Sequence, residues 1–155
     1  MNDQIDAKLY GSAIRYLSAR EHSVKELRDK LARKFRGNIS SAQLDNLLDA
    51  LRQQGLQSDQ RFAESVVRGR IRKGYGPFFI ERELGAKGVT SSVVHETEAW
   101  QAADWSSLVA EYLERKFPEV GAATENNASD RRQKAARSLQ QRGFAATDIR
   151  RALFG

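Results

Sequence analysis

The chain of 155 residues contains no cysteine, only two prolines and only two histidines. Without cysteine it can form neither disulfides nor thiolate metal sites, and it has no thiol nucleophile. His22 and His95 lie far apart in the sequence without ligand-spaced partners, whereas a zinc site needs three or four ligands. No Gly-x-Ser-x-Gly elbow and no phosphate-binding loop of the GxxxxGK[ST] type occurs. We therefore expect no catalytic residue, no metal site and no cofactor, and a protein that is not an enzyme.

Long apolar runs are also missing. No window approaches the roughly 18 apolar residues of a membrane span. The first six residues are polar and acidic, which is not the pattern of a signal peptide. Together with the lack of cysteine, this predicts a protein of a reducing compartment. We expect the cytoplasm and no contact with a membrane.

A short phrase is repeated in the chain. The segments Leu84–Val89 and Leu139–Phe144 each carry a leucine, a basic residue, a glycine and an apolar residue at identical spacing. A weaker third copy contains Leu31, Lys34 and Phe35, with phenylalanine in the place of the glycine. The copies are offset by 53 and 55 residues. Self-similarity at a nearly fixed period predicts stacked repeats, whose extended surface suits binding more than chemistry.

Helical patterns run through almost the whole sequence. The clearest is Leu44, Leu47, Leu48 and Leu51, which follow the i, i+3, i+4, i+7 spacing of one helix face. Serines three residues before Glu or Gln predict capping boxes, and a proline after a Gly-Tyr-Gly turn predicts a helix start. The residues that carry these signals are Ser23, Ser40 and Pro77. Ser58 or Asp59 can cap a further helix.

The pattern predicts nine helices in three groups of three. The predicted boundaries are 1–57, 58–104 and 105–155, with 118–129 as a loop and Asp130 as the cap of the next helix. The fold class is therefore expected to be all-α, an elongated tandem array of three three-helix repeats with helix-turn-helix-like units. We interpret the repeated phrase as structural, because its glycine lets the chain turn from the middle helix into the third.

Positive charge is in excess at the two ends of the chain. The formal net charge is +6, of which the first and third segments carry +3 each and the middle segment none. Such a balance favours nucleic acid or an acidic protein surface as a partner. A basic but merely solvated surface is the alternative. Some cations also lie where they favour the helix dipole or pair with an acid, as Lys30 is expected to do with Glu26.

The basic residues cluster at the ends of the second and fourth predicted helices and along the eighth. The eighth helix has five basic residues and only Asp130 as an acid, which ion pairing explains poorly. Phosphate groups or an acidic protein groove would explain it. The candidate binding residues are Lys30, Arg33, Lys34, Arg36, Arg68, Arg72, Lys73, Arg131, Arg132, Lys134, Arg137 and Arg142.

Aromatic side chains offer a second way to bind nucleic acid, because every base has a face on which a ring can stack. Tyr75, Phe78 and Trp105 are the candidates. Packing in the core of a repeat is the stronger interpretation of aromatic residues at helical spacing.

The middle of the chain carries a set of residues at characteristic spacing, namely Asp59, Phe62-Ala63, Arg70, Gly74-Tyr75-Gly76-Pro77, Ile80, Glu83-Leu84 and Gly88-Val89. In these residues the chain resembles the RecX family of bacterial regulatory proteins. The flanking matches are Ser23, Glu26-Leu27, Leu31, Gly55-Leu56, Lys134, Leu139, Arg142-Gly143-Phe144 and Ile149. The first repeat departs from the family pattern at Phe35, where a glycine is usual, and a longer connection follows it.

The resemblance implies a tandem array of three-helix units in a cytoplasmic regulator. Such a protein binds the RecA recombinase and RecA–DNA filaments and inhibits the recombinase, ATPase and co-protease activities. It thereby modulates DNA repair and the SOS response. We expect a monomer with weak binding to single- or double-stranded DNA. The alternative is a helix-turn-helix-type protein whose basic helices act directly on duplex DNA.

Overall fold

The computed structural model describes residues 2–122 and 127–155, and this part of the chain is helical with no strand. It contains eleven helices, which confirms the all-α prediction. They are α1 Asn2–Ala19, α2 Val24–Lys34, α3 Ser41–Gln53, α4 Asp59–Arg72, α5 Pro77–Ala86, α6 Ser91–Glu96, α7 Glu98–Ala102, α8 Trp105–Lys116, α9 Glu119–Ala122, α10 Ala128–Gln141 and α11 Ala146–Phe154.

The apolar side chains form three successive clusters rather than one core. The first joins α1, α2 and α3, the second joins helices from α4 to α7, and the third joins α8, α10 and α11. The leucine stripe of α3 faces the first cluster, with Leu44, Leu48 and Leu51 buried. Trp105 packs against both the second and third clusters. We refer to the segments 1–57, 58–104 and 105–155 as the first, second and third units; these boundaries stay a prediction.

The helix starts follow the predicted capping residues. The hydroxyl of Ser23 accepts a hydrogen bond from the Glu26 amide, and Ser40 forms a complete capping box with Gln43. Pro77 lies in the first turn of α5. Of the two candidates for α4, Ser58 is the cap. Each cap supplies an acceptor for amides that the first turn of a helix leaves unpaired.

The predicted number of nine helices is wrong for the described residues, in part because the third helix of the second unit is split. Thr97 lies between α6 and α7 with an extended backbone, φ −66° and ψ 145°. It ends α6, and its hydroxyl accepts a hydrogen bond from the Trp100 amide at the start of α7. Thr97 is buried, so its hydroxyl is satisfied within the protein by donating to the Val94 carbonyl.

The predicted loop 118–129 is also wrong in part. Glu119–Ala122 form the short helix α9, and α10 begins at Ala128. The cap of α10 is Asn127, and Asp130 lies in the first turn, where its charge still favours the helix dipole. Residues 123–126 of the predicted loop lie outside the described residues.

The weak first copy of the repeated phrase makes its turn two residues beyond the position that glycine occupies in the other copies. Phe35 caps α2 with φ −109°, and its amide donates to the Leu31 carbonyl. The left-handed residue that follows is Gly37, with φ +80°. Phe35 therefore does not need to supply the glycine conformation, because the longer connection after it does.

The second and third units are joined through their backbones. The Gly76 amide donates to the Arg142 carbonyl at 2.7 Å, and the Phe78 amide donates to the Gly143 carbonyl at 2.9 Å. A Cβ atom on Gly143 would lie 2.3 Å from the Phe79 nitrogen, and one on Gly76 would lie 2.6 Å from the Gly143 carbonyl oxygen. Only glycine at both positions permits this approach.

Arg142, the basic residue of the third copy, covers this joint. Its guanidinium lies over the rings of Tyr75 and Tyr112, 4.4 and 5.5 Å from their centroids, and donates to the Lys73 carbonyl at 3.2 Å. A planar guanidinium can stack on two rings and still donate in its own plane. Arg142 therefore ties the end of α10 to the second unit.

The junction of the first and second units repeats the arrangement. Lys87, the basic residue of the second copy, forms an ion pair with Glu26 at the start of α2, and Lys25 donates to the Ala86 carbonyl. A Cβ atom on Gly88 would lie 2.9 Å from the Cβ of Lys25. In both junctions, a copy of the phrase contacts the start of the middle helix of the preceding unit. The second copy contacts α2, and the third copy contacts α5.

A buried polar cluster also links the first and second units. Asp59 accepts hydrogen bonds from the Val24 amide at 2.8 Å and from the Gln57 side chain at 3.0 Å. Gln57, which is 2% exposed, also donates to the His22 carbonyl at 3.2 Å. These bonds satisfy groups that would otherwise be buried without a partner.

Substitution of Gly143 with alanine should destabilise the protein more than substitution of Gly37. Both glycines have positive φ, but a Cβ on Gly37 would meet nothing within 4 Å. We expect G37A to cost about 1 kcal/mol from backbone conformation alone. The clash at the joint should raise the cost of G143A to roughly 3 kcal/mol or more. Urea unfolding of both variants measures the difference, and equal losses would contradict the joint.

Candidate nucleic-acid interface

A basic groove runs along the junction of the first and second units. It consists of two adjoining depressions of about 280 and 360 Å³ that share Glu26 and Lys87 in their walls. Helices α2, α4 and α5 and the end of α1 contribute the side chains. The charged residues that line it are Arg20, Lys25, Glu26, Asp29, Lys30, Arg33, Arg70, Lys73, Glu83 and Lys87.

The groove has a net positive charge. Seven cationic side chains and three carboxylates line it, which gives a formal charge of +4. A concave surface with one sign of charge concentrates the field and attracts ligands of the opposite sign. The groove is therefore suited to phosphate groups or to an acidic protein segment.

Glu26 is the acid at the centre of the groove. Its side chain, only 8% exposed, accepts two hydrogen bonds from Arg20, at 2.8 and 3.0 Å, and one from Lys87, at 3.2 Å. Burial disfavours its charge, but the bonds from Arg20 and Lys87 outweigh burial and lower the pKa of Glu26 to about 2. Glu26 therefore stays ionised and orients two cations from different units.

The predicted pair of Glu26 with Lys30 does not form. The Lys30 ammonium instead lies 2.8 Å from Nε2 of His22 and 5.1 Å from the centre of the Tyr16 ring. Nδ1 of His22 lies 3.0 Å from the Arg20 carbonyl oxygen. Burial lowers the pKa of His22, and the geometry fits a neutral ring that donates from Nδ1 and accepts at Nε2. His22 thus belongs to the packed junction of α1 and α2.

The cations of the groove crowd one another. The pKa of Lys30 is lowered first by burial and then by the charges of Arg20, Lys87 and Arg33, with Glu26 acting in the opposite sense. A like charge nearby disfavours protonation of an amine. A bound anion would relieve this repulsion, which is the electrostatic condition for an anion-binding site.

The candidate cations of the first two units are distributed on and beside the groove. Lys30, Arg33 and Lys73 line it. Lys34 lies over the rings of Tyr16 and Phe35 beyond the groove, and Arg36 is exposed after the end of α2. Arg68 pairs with Glu64, whereas Arg72 is exposed and forms no ion pair with any described residue.

The cations of α10 form a separate group. Arg131, Lys134 and Arg137 form no ion pair within residues 2–122 and 127–155, and none of them lines the basic groove. The Arg132 guanidinium lies 5.8 Å from the centre of the Phe154 ring. Arg142 connects the two groups, because it donates to the carbonyl of Lys73, which is in the groove wall. We call the groove, which includes Lys73, together with Arg142 the basic track.

Four cations of the groove are absent from the residues predicted from the sequence. They are Arg20, Lys25, Arg70 and Lys87. Lys87 holds the same place in the repeated phrase as Arg142, so that equivalence was a signal that could have identified it. Arg20 and Lys25 lie beside acids in the sequence, and they enter the groove because the first unit packs against α4 and α5 of the second.

The aromatic candidates differ in exposure. Tyr75 lies within cation–π distance of the guanidinium groups of Arg70 and Arg142 and stacks on Phe79, with ring centres 4.2 Å apart. Trp105 packs edge-on against a second tryptophan and is half-buried. The packing interpretation is confirmed for these two residues. Phe78 is 60% exposed and lies on another surface, described below.

Two general features of the described residues limit other kinds of site. Residues 2–122 and 127–155 contain no group of three or more His, Asp or Glu side chains arranged to hold a metal ion. Among the helices in these ranges, none has the length and apolar character needed to cross a membrane.

Comparison with known proteins identifies the family. Residues 10–39 match the model of the first three-helix domain of RecX, and residues 58–97 match that of the second. The regulatory protein RecX of Chromohalobacter salexigens is 41% identical over 91% of this chain and 88% of its own length. The chain belongs to the RecX family. A second relative, the regulatory protein RecX of Xanthomonas citri, is 39% identical over 90% of this chain and 82% of its own length.

Solved RecX structures share the fold. The crystal structure of RecX from Lactobacillus salivarius superimposes with a TM-score of 0.72 at 25% identity, covering 98% of this chain and 96% of that one. Another RecX crystal structure gives a TM-score of 0.76 at 23% identity, covering 96% and 72%. The predicted family and fold are thus confirmed, and membership of the RecX family implies a regulatory role.

Acid should weaken the junction of the first two units through Glu26. Its pKa is lowered from 4.5 to about 2 in the folded protein, so its stabilising effect is complete above pH 4.5 and is lost as the pH falls towards 2. Removing the charge with E26Q should cost on the order of 1–2 kcal/mol at pH 7 and progressively less below pH 4.5.

Urea unfolding at several pH values measures this difference. D29N is the matched control, because Asp29 lies in the same groove but forms no ion pair with any described residue. A cost of E26Q that does not change with pH, or an equal cost for D29N, would contradict the role of Glu26.

Proposed function

We propose that this protein binds the RecA recombinase and RecA–DNA filaments and inhibits the recombinase, ATPase and co-protease activities, so modulating DNA repair and the SOS response. Membership of the RecX family supports a regulatory role, and RecA as partner follows from the resemblance. The single observation that carries the physical case is the basic track, which crosses from the first unit through the second to Arg142 of the third.

The position of the basic track supports binding to a polymer rather than to one small ligand. Its charged residues come from all three units, and its walls are held by contacts between units. A filament presents acidic protein surface and DNA phosphates repeatedly along a groove. A protein lying in that groove would contact several subunits, block a second DNA strand and favour filament disassembly.

Direct DNA binding is the weaker part of the same proposal. The cations of the basic track and of α10 support sequence-independent contact with phosphate groups of single- or double-stranded DNA, which is sensitive to salt because counterions are released. The proposal includes a cytoplasmic monomer that works without a cofactor.

The alternative of a helix-turn-helix protein acting on duplex DNA is less well supported. That mode places the last helix of a unit in the major groove, with its side chains on base edges. In the first unit α3 carries Arg52 against Asp45 and Asp49, and in the second α6 carries Glu96 and no lysine or arginine. The last helices of these two units have a net negative charge and are unsuited to enter a groove lined by phosphates. In the third unit α11 carries Arg150 and Arg151 against Asp148, so the argument applies to the first two units.

Titration of this protein into RecA on single-stranded DNA tests the function directly. The expected result is a fall in ATP hydrolysis when the protein is present at stoichiometric amounts or below. Unchanged hydrolysis at stoichiometric amounts would overturn the proposal. Footprinting on duplex DNA provides the second arm, since a sequence-specific footprint without RecA would favour the helix-turn-helix alternative.

Charge reversal in the basic track should weaken this inhibition. Arg33 and Lys73 line the groove and form no ion pair with described residues, so R33E and K73E should leave the fold intact. The double variant should bind filament less tightly, and the salt slope should fall by about 1 for each phosphate that is no longer neutralised. K8E is the matched control, because Lys8 is exposed on α1 and lines neither depression.

The same measurement decides whether α10 takes part. Reversal of Arg131, Lys134 and Arg137 should weaken binding mainly at low salt, because these cations lie outside the groove. Affinity that is unchanged across the salt series would remove α10 from the interface. An equal loss for K8E would show that net charge, and not the basic track, governs binding.

A further inference from the structure

A second groove lies on the junction of the second and third units. It has a volume of about 760 Å³ between α5 and the pair α10 and α11. Five apolar side chains in its lining are Phe78, Phe79, Phe144, Ile149 and Phe154. The groove exists because the glycine joint brings the start of α5 against the end of α10.

Exposed apolar surface is concentrated on this groove. Phe78 is 60% exposed and Phe154 is 55% exposed. Tyr10 and Leu56, the other exposed large apolar side chains in the part of the chain that the structure describes, are 41% and 40% exposed. Tyr10 and Leu56 do not line this groove. Contiguous exposed apolar surface, unlike isolated apolar residues, marks an interaction site.

The charges around the groove have one sign. Arg82 and Arg150 line it, and no Asp or Glu among residues 2–122 and 127–155 is part of its lining. The neighbouring acids are engaged elsewhere, Glu81 with His95 and Asp148 with Ser106. The apolar floor and the arginines at the rim therefore fit a ligand that has apolar side chains with carboxylates beside them.

Arg132, which lies beside Phe154, has a hydrogen-bond donor without an acceptor in the described part of the chain. Its guanidinium lies 5.8 Å from the centre of the Phe154 ring, and its Nε is buried with no hydrogen-bond partner among the described residues. A buried donor without an acceptor is unfavourable by about 1–3 kcal/mol. Arg132 does not line the groove, so its guanidinium adds positive charge beside Phe154 rather than a contact in the groove wall.

We propose that this groove binds a short acidic amphipathic segment of a partner protein. Its apolar side chains would fill the groove over Phe78 and Phe154, and its carboxylates would meet Arg82 and Arg150. This mode lays an amphipathic segment into an apolar groove and adds charge complementarity at the rim. The inference does not depend on the function proposed above, because the basic track lies on other residues.

A second copy of this chain fits the groove less well. A symmetric dimer brings the same surface of both copies together. Arg82 and Arg150 of one copy would then face those of the other, with no carboxylate in the lining to separate them. Single-stranded nucleic acid would use the phenylalanines as stacking platforms, but it offers no apolar anchors to fill a groove of this volume.

The probe for the test is a fluorescent peptide of about 14 residues with Leu and Phe at helical anchor spacing and Glu at most other positions. Two matched peptides replace either Glu with Lys or the apolar anchors with Ser. Fluorescence anisotropy with the full chain should show saturable binding of the acidic amphipathic peptide only. Binding of the Lys peptide with equal affinity, or no saturable binding of the acidic peptide, would overturn the proposal.

Variants assign the binding to the groove. F78A changes an exposed side chain, so the fold should be retained, and R150E reverses a rim charge; each should weaken peptide binding about tenfold or more. L56A and K8E are the matched controls and should bind as the unaltered protein does. Undiminished binding by F78A and R150E would overturn the proposal.

Two further readouts separate other occupants. Sedimentation that shows a dimer abolished by F78A would overturn the proposal in favour of a second copy. An oligothymidine that displaces the peptide and loses affinity in F78A would overturn it in favour of nucleic acid. A monomer that keeps its oligothymidine affinity in F78A while losing the peptide would support it.

Discussion

The arrangement of the units depends on a backbone contact that only glycine permits. Gly76 and Phe78 donate hydrogen bonds to the end of α10, and neither Gly76 nor Gly143 has room for a Cβ atom. Both hydrogen bonds join backbone atoms, so together they fix the distance and the angle between α5 and the end of α10. Arg142 then covers the joint, with its guanidinium over the rings of Tyr75 and Tyr112. The two grooves described above each lie beside a junction at which a copy of the phrase contacts the start of a middle helix.

The two junctions use the same phrase to contact a middle helix, but the side chains around the contact differ, and so do the grooves beside them. Where Lys87 and Gly88 meet the start of α2, the contact is made by charged side chains, and the groove beside it is basic. Where Arg142 and Gly143 meet the start of α5, phenylalanines surround the contact, and the groove is apolar with arginines at its rim. A binding protein can in this way carry two unlike surfaces on one repeated backbone plan, because the residues around the phrase vary while its spacing does not.

The sequence was sufficient for the fold class, the family and most helix starts, because apolar spacing and capping residues are local signals. It was insufficient where an alternative local hydrogen bond, a shifted turn or packing between units decides the outcome. Thr97 splits a helix because its buried hydroxyl bonds on both sides of a break. Phe35 is tolerated in the place of the glycine because Gly37 makes the turn. A Cβ atom on Gly37 would touch nothing, so this turn is open, unlike the joint at Gly143. Arg20 and Lys25 enter the groove only through packing between units, which no local pattern contains.

The central claim, that the glycine joint holds the units in a fixed arrangement, is tested most directly by hydrogen exchange at the Gly76 and Phe78 amides. If the joint is closed in solution, both amides should exchange as slowly as the buried helical amides of α5, because exchange requires opening of the junction. The Asn38 amide, bonded in a turn beside the open Gly37, provides the fast reference. Exchange of Gly76 and Phe78 at the rate of Asn38 would contradict the account.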